Sequence, residues 1–418
     1  MINKKSLTIL ILINLCVFSN IQFVSANNVK ENYEINGADS IKDNYTIDKV
    51  PYIGQSTNFY CYLSSVTMVI KYYGYNSTLN EILYNLGCGY ALKYSRYFTP
   101  VRLPVGMMGI AGYESYFSFL PGLYNLSYER SNYYNSELTE NECWDKYWQR
   151  VKENVSNDKP VITSVNPYLL PYLIKYVGNE TSEGGHAVVI VGYNDTNNTV
   201  CVNDPAPGFW NDNANGTYIY VSQDDFKQAV NETIGIQYLI DLIYKPDDFI
   251  PVSENKRYEI AHNKNLERMK GYIASYNNDV NYNFRSSYLG INALKLFRRD
   301  LRFGITHKYL SLFIIKLRTY QSLEFYYYVL YCEKNNASQY LLNNTHLSHE
   351  CYTEGLLLKK ESNCWLNFTM LMLQLKNITN NKFLISWWKS IPLLYEMTDV
   401  LSDIISIQKE IINNKSKF

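Results

Sequence analysis

The chain has 418 residues, with 39 basic and 39 acidic side chains and so no net charge. That balance excludes the basic field a nucleic-acid binder needs and leaves no acidic tail. The length exceeds what one hydrophobic core usually organises, so two domains are expected.

Lys4 and Lys5 precede an apolar run, Leu7 to Val17, that closes on Val24-Ser25-Ala26. A basic start, a short apolar stretch and small residues at the end are the pattern of a secretory signal peptide over residues 1–26. The run is shorter than the ~20 residues a spanning helix needs. Tyr309 to Leu317 is apolar but is flanked by Lys308 and Arg318. The expectation is an exported chain with no integral membrane segment after cleavage. Fourteen Asn-x-Ser/Thr acceptors, Asn76, Asn125, Asn194 and Asn367 among them, would permit glycosylation there. Cys16 leaves with the signal peptide and seven cysteines remain. An odd number implies one free thiol or an intermolecular bridge. If Cys61 is the free one, Cys88, Cys143, Cys201, Cys332, Cys351 and Cys364 could form three disulfides. No cysteine or histidine spacing resembles a metal site.

Residues 27–48 are polar and predict a flexible lead-in. Leu63, Val66, Ile70 and Tyr73 recur at three- and four-residue steps and predict a helix from Cys61 to the stop at Gly74. A second helix is predicted over Leu79 to Leu86. From about 90 to 145 no clean period emerges, and loops with short helices are expected. Val161 to Val165 is β-branched and strand-like. Ala187 to Gly192 and Thr199 to Asn203, joined by Asn/Asp-rich turn residues, predict a hairpin. A strand over Thr217 to Val221, a helix over Gln223 to Val230 and a closing strand over Tyr238 to Leu242 complete a first domain of residues 49–245. Residues 246–255 look like a linker. The remainder, 256–418, has helical spacing, with Leu294, Phe297 and Leu301 on one face. Late helices are expected over Trp365 to Leu375 and over Phe383 to Ile412, the second interrupted at Pro392.

A thiol nucleophile must ionise below its free pKa of about 8.5, and a helix N-terminus favours the anion. Cys61 stands where a helix begins. Gln55, six residues upstream, could turn its amide back to donate to an oxyanion formed on attack. His186 is the sole histidine between residues 27 and 261 and follows Gly184-Gly185. A hairpin turn centred near Asp195 would set His186 directly opposite Asp204, within reach of an imidazole–carboxylate hydrogen bond. Asn203 would then face the other side.

The order Val50-Pro51-Tyr52-Ile53-Gly54-Gln55, Cys61 opening a helix to Gly74, Gly185-His186, and Asp204-Pro205 resembles the papain-like peptidases. It looks closest to the bacteriocin-leader-peptidase (double-glycine peptidase) branch. That resemblance implies an α+β fold of helices packed on an antiparallel sheet, followed here by an all-α region. It also implies Cys61 as nucleophile, His186 as base, Asp204 as its orienter and Gln55 as oxyanion donor. Glu81 to Tyr90, with Leu-Gly-Cys-Gly-Tyr, is similar to butirosin-biosynthesis protein H, whose family transfers acyl groups from a carrier protein. The expected activity is a cysteine peptidase or amide hydrolase acting on a peptide or amide, with no cofactor. The alternatives are an acyltransferase of the same design or a non-catalytic module that kept the fold. His262, His307, His346 and His349 are scattered through the helical region and suggest no metal site.

Overall fold

The computed structural model describes residues 42–57, 60–90, 92–98, 104–110, 116–177, 185–210, 215–233, 236–271, 286–306, 323–380 and 385–414. The expected signal peptide, most of the lead-in, the Tyr309–Leu317 run and His307 lie outside them. Among the described residues no helix is long and apolar enough to cross a membrane.

The chain divides into two compact units, Met1–Ile82 with Phe117–Val252, and Leu83–Tyr116 with Ser253–Phe418. Leu83–Tyr116 therefore goes with the C-terminal unit, although the linear division of the sequence set it in the first domain. The cause is a pairing that local pattern cannot reveal. Strand Leu92–Phe98 pairs with Pro104–Ile110 on one side and with Ser286–Leu289 on the other.

The first unit is built on a seven-stranded sheet. Its strands are β1 (Asn44–Thr46), β2 (Ser127–Asn132), β3 (Val161–Val165), β4 (His186–Asn194), β5 (Thr199–Asn203), β6 (Ile219–Ser222) and β7 (Leu239–Tyr244). The order is β2-β7-β3-β4-β5-β6, every pairing is antiparallel, and β1 pairs with the far half of β4. The segment expected to be a closing strand, β7, thus lies inside the sheet between β2 and β3. β4 is buried along all but its last residue, so it shows a continuous apolar run instead of alternation. Two helices pack against it, α1 (Cys61–Tyr72) and α2 (Glu140–Ser156). α2 starts with a reciprocal cap, Thr139 and Glu142 each bonding the other's backbone amide.

Three sequence expectations need correcting here. Asn44–Thr46, expected to be flexible, forms β1, and Ile47 and Val50 behind it are buried. The 90–145 stretch holds three strands and the start of the 17-residue helix α2 as well as loops. The turn between β4 and β5 is also not centred on Asp195. It spans Asp195 to Asn198, closed by Asn198 at φ +51°, and a bulge at Val191 shifts the register again. Gly192, next to that bulge, lets β1 approach closely, since a Cβ there would lie 2.8 Å from Thr46 Oγ1 and 2.9 Å from the Tyr45 carbonyl.

The second unit is helical apart from its three short strands. Its helices are Glu254–Lys270, Gly290–Thr306, Leu323–Asn343, His349–Asn380 and Ile385–Asn414. Leu294, Phe297 and Leu301 share a core with Leu92, Tyr94, Trp365 and Phe368. The helix expected over Trp365–Leu375 is 32 residues long, and the last helix runs through Pro392 without interruption. Ion chemistry is buried here as well. Lys334 Nζ and Glu361 Oε2 lie 3.1 Å apart, both side chains fully buried, and Glu361 Oε1 accepts from Gln408 Nε2 at 2.8 Å.

All seven described cysteines are unbridged, so the expected disulfides are absent. Five of them are buried and behave as small apolar side chains, and Cys351 and Cys364 share the helix His349–Asn380.

Candidate functional site

Cys61 is the first residue of α1 and is half-buried. Its N-cap, Tyr60, supplies no side-chain acceptor, so the first-turn amides remain directed at whatever lies beyond the helix start. One turn on, Ser65 Oγ donates to the Ala187 carbonyl at 3.3 Å. The helix that Cys61 opens is therefore tied to the strand residue that follows His186.

His186 opens β4, is 7 % exposed, and lies opposite Val165 of β3. Its Nε2 is 2.7 Å from Asp204 Oδ1, which leaves Nδ1 for the thiol. The last β4–β5 pair is Val189 with Asn203, so His186 and Asp204 are not cross-strand partners as the sequence count required. They meet because Asp204 has left the ladder. Its amide donates to the Gly216 carbonyl at 2.8 Å, and its Oδ1 also accepts from the Ala206 amide at 2.7 Å. Asp204 Oδ2 accepts from the Tyr172 hydroxyl at 2.6 Å. The carboxylate is fully buried and has three donors.

These contacts set the charges. Burial pushes the His186 imidazolium towards losing its proton, but the Asp204 charge and hydrogen bond outweigh that and raise its pKa to about 10. Burial likewise pushes the Cys61 thiol up. The hydrogen bond and charge of His186, with the Ala187 and Tyr62 backbone, more than offset this and bring it below its ordinary value. Both shifts favour a thiolate–imidazolium pair at the start of α1.

Gln55 is buried and its backbone N–H donates to the Pro205 carbonyl at 3.0 Å, beside Asp204. Its Oε1 has no hydrogen-bond partner among the described residues. Asn203 joins the segment before α1 to the residue that precedes β6: its Nδ2 donates to the Val50 carbonyl and its Oδ1 accepts from the Tyr218 amide.

Residues 47–233, which include all four of these positions, match the profile of the Peptidase_C39-like family. They form a Peptidase_C39-like domain. No curated protein matches the chain. In this family-level sense the first unit is a peptidase-like hydrolase fold, α+β, and the helical region follows it.

Sequence reasoning missed three supports of this Peptidase_C39-like site. Tyr172 lies on the short helix α3 (Pro171–Val177), which had no signal of its own. Gly216 sits so close to Asp204 that an added Cβ would fall 1.9 Å from the Asp204 carbonyl oxygen. The third is buried Asp241 on β7, which accepts from Tyr128 at 2.6 Å and from both Arg130 Nε and Nη2 at 2.7 Å. Tyr62, the residue after Cys61, hydrogen-bonds the same carboxylate. Arg130 and Asp241 are direct partners across β2 and β7 but lie 111 residues apart in the chain, so no local pattern links them. Among the described residues no His, Cys, Asp or Glu cluster could hold a metal.

Proposed function

We propose that this chain is an exported cysteine peptidase or amide hydrolase in which Cys61 is the nucleophile. The observation that carries the reading is the single imidazole shared between Asp204, at 2.7 Å, and the Cys61 thiol on the first turn of α1. The Cys61 thiolate attacks the scissile carbonyl, and the carbonyl π electrons move onto oxygen. The Cys61 amide and the Gln55 side chain stabilise that oxyanion. The imidazolium of His186 gives its proton to the departing amine as the C–N bond breaks, leaving a thioester on Cys61. Water then attacks the thioester, His186 takes its proton, and thiolate and acid are released. Asp204 holds the ring in one orientation and carries the charge that keeps it protonated between turnovers.

Export is supported by the basic, apolar and small-residue pattern of residues 1–26. The test is incubation of the full chain with a peptide library and a cell-wall peptide preparation, read by mass spectrometry. New termini from the wild type and none from Cys61→Ala support the proposal. Cleavage retained by Cys61→Ala would overturn it. Gln55→Ala should leave Cys61 reactive yet lower turnover roughly 100-fold.

A further inference from the structure

We infer that Tyr172 is a positioning residue of the catalytic group, fixing the Asp204 carboxylate so that one oxygen is reserved for His186. This rests on the triad reading above. Asp204 has two oxygens and three donors, and their division is uneven. Oδ1 takes His186 Nε2 and the Ala206 amide, while among the described residues Oδ2 takes the Tyr172 hydroxyl alone, at 2.6 Å. Without Tyr172, Oδ2 would be a bare acceptor on a carboxylate that has no access to water. Rotation about the carboxylate bond would then be resisted only by the contacts on Oδ1.

The element carrying Tyr172 is built to hold it. Leu170 and Leu173 on either side are fully buried and anchor α3 to the first unit. The chain enters through a 3-10 turn, Pro167–Leu169, capped by Asn166, whose side chain accepts from the Tyr168 amide and whose own amide is held by the Ala229 carbonyl. A seven-residue helix so fixed at its entrance presents the hydroxyl at a set distance. Burial, and then the Asp204 charge, raise the Tyr172 pKa well above its ordinary value, so the phenol stays a donor across the working pH range.

Among the described residues, few groups bear on the titration. His186 approaches Asp204 from β4, Cys61 approaches His186 from α1, Tyr172 comes from α3, and Gly216 contributes a backbone carbonyl. Removing the hydroxyl takes partial positive charge from beside the carboxylate. The carboxylate then holds the His186 proton more tightly, and the thiolate is drawn less strongly by an imidazolium already better compensated. Both limbs of the Cys61–His186 titration move to higher pH.

The experiment needs no substrate. Alkylation of Cys61 by iodoacetamide is followed from pH 4 to 11 in the full chain, located by peptide mass spectrometry, with Cys61→Ala as blank. Tyr172→Phe keeps the ring and should shift the profile alkaline by about one pH unit, the scale set by one hydrogen bond to a charged group. Site-specific 3-fluorotyrosine at position 172 donates more strongly in nearly the same shape and should shift it the other way. It also serves if the Phe variant does not fold. A wild-type profile that shows the raised His186 limb but is unmoved by either replacement refutes the Tyr172 inference alone. A wild-type profile like that of an ordinary thiol, with one midpoint near 8.5, sinks the triad reading itself.

Discussion

Gly216→Ala isolates how the fold places the carboxylate. An ideal Cβ at 216 would stand 1.9 Å from the Asp204 carbonyl oxygen and 2.8 Å from Tyr52 Cε2. The tyrosine ring can swing, but the carbonyl is backbone. Restoring an ordinary contact requires the two segments to part by roughly 1.3 Å or more. That movement breaks the 2.8 Å bond from the Asp204 amide to the Gly216 carbonyl, the contact that draws Asp204 out of β5 towards His186. The lost bond costs ~1 kcal/mol and the overpacking ~1–3 kcal/mol, so a loss of about 2–4 kcal/mol is expected. For a unit of this size the melting point should fall by roughly 5–15 °C. A displacement of about 1 Å at a catalytic group costs on the order of 100-fold in rate, so cleavage should drop by about that factor. Thermal melting and iodoacetamide labelling of Cys61 at pH 7 read both effects. Gly122 provides the control: nothing lies within 4 Å of its added Cβ. It sits in the helix Tyr116–Leu123, where Gly122→Ala should be neutral or stabilise by up to ~1 kcal/mol. If Gly216→Ala melted within about 2 °C of the wild type and labelled at the same rate, the close-approach argument would be wrong.

Asp204→Asn removes the charge that raises His186, and burial should then carry the imidazolium below its ordinary value. Labelling of Cys61 at pH 7 should fall at least ~10-fold, because the imidazole is then neutral and the shared proton stays on the thiol. Because the folded pKa of His186 is raised, to about 10, the stabilisation from this contact is complete below the unfolded value of ~6.5 and disappears as pH rises through about 10. The gap in melting point between wild type and Asp204→Asn should therefore be widest below pH 6.5 and close near pH 10–11; a gap that widened with pH would contradict the assignment. In the second unit, Lys334→Met strands the buried Glu361 carboxylate and should destabilise by ~3–5 kcal/mol in chemical denaturation. The double variant Lys334→Met with Glu361→Gln should recover most of that loss. Equal destabilisation by the single and double variants would show that the charge pair is not what matters.

Local pattern in the sequence determined the helix that starts at Cys61, the strands on which His186 and Asn203 lie, and the chemistry open to a cysteine, a histidine, an aspartate and a glutamine in that order. These are short-range properties: a 3.6-residue period, a β-branched run, a helix-terminal thiol. The sequence also pointed to His186 and Asp204 as partners, although by a register the chain does not adopt. Where the turn closes, and that a bulge at Val191 moves the pairing beside the close approach of β1 to Gly192, leave no mark in the local pattern. Only the tertiary structure decided that Asp204 turns out of its strand onto Gly216, that Tyr172 claims its second oxygen, and that Asp241 binds the residue after Cys61. It alone decided that Leu83–Tyr116 folds with the C-terminal helices. Each of those contacts joins residues far apart along the chain, and hydrogen bonds between distant side chains leave no period behind them.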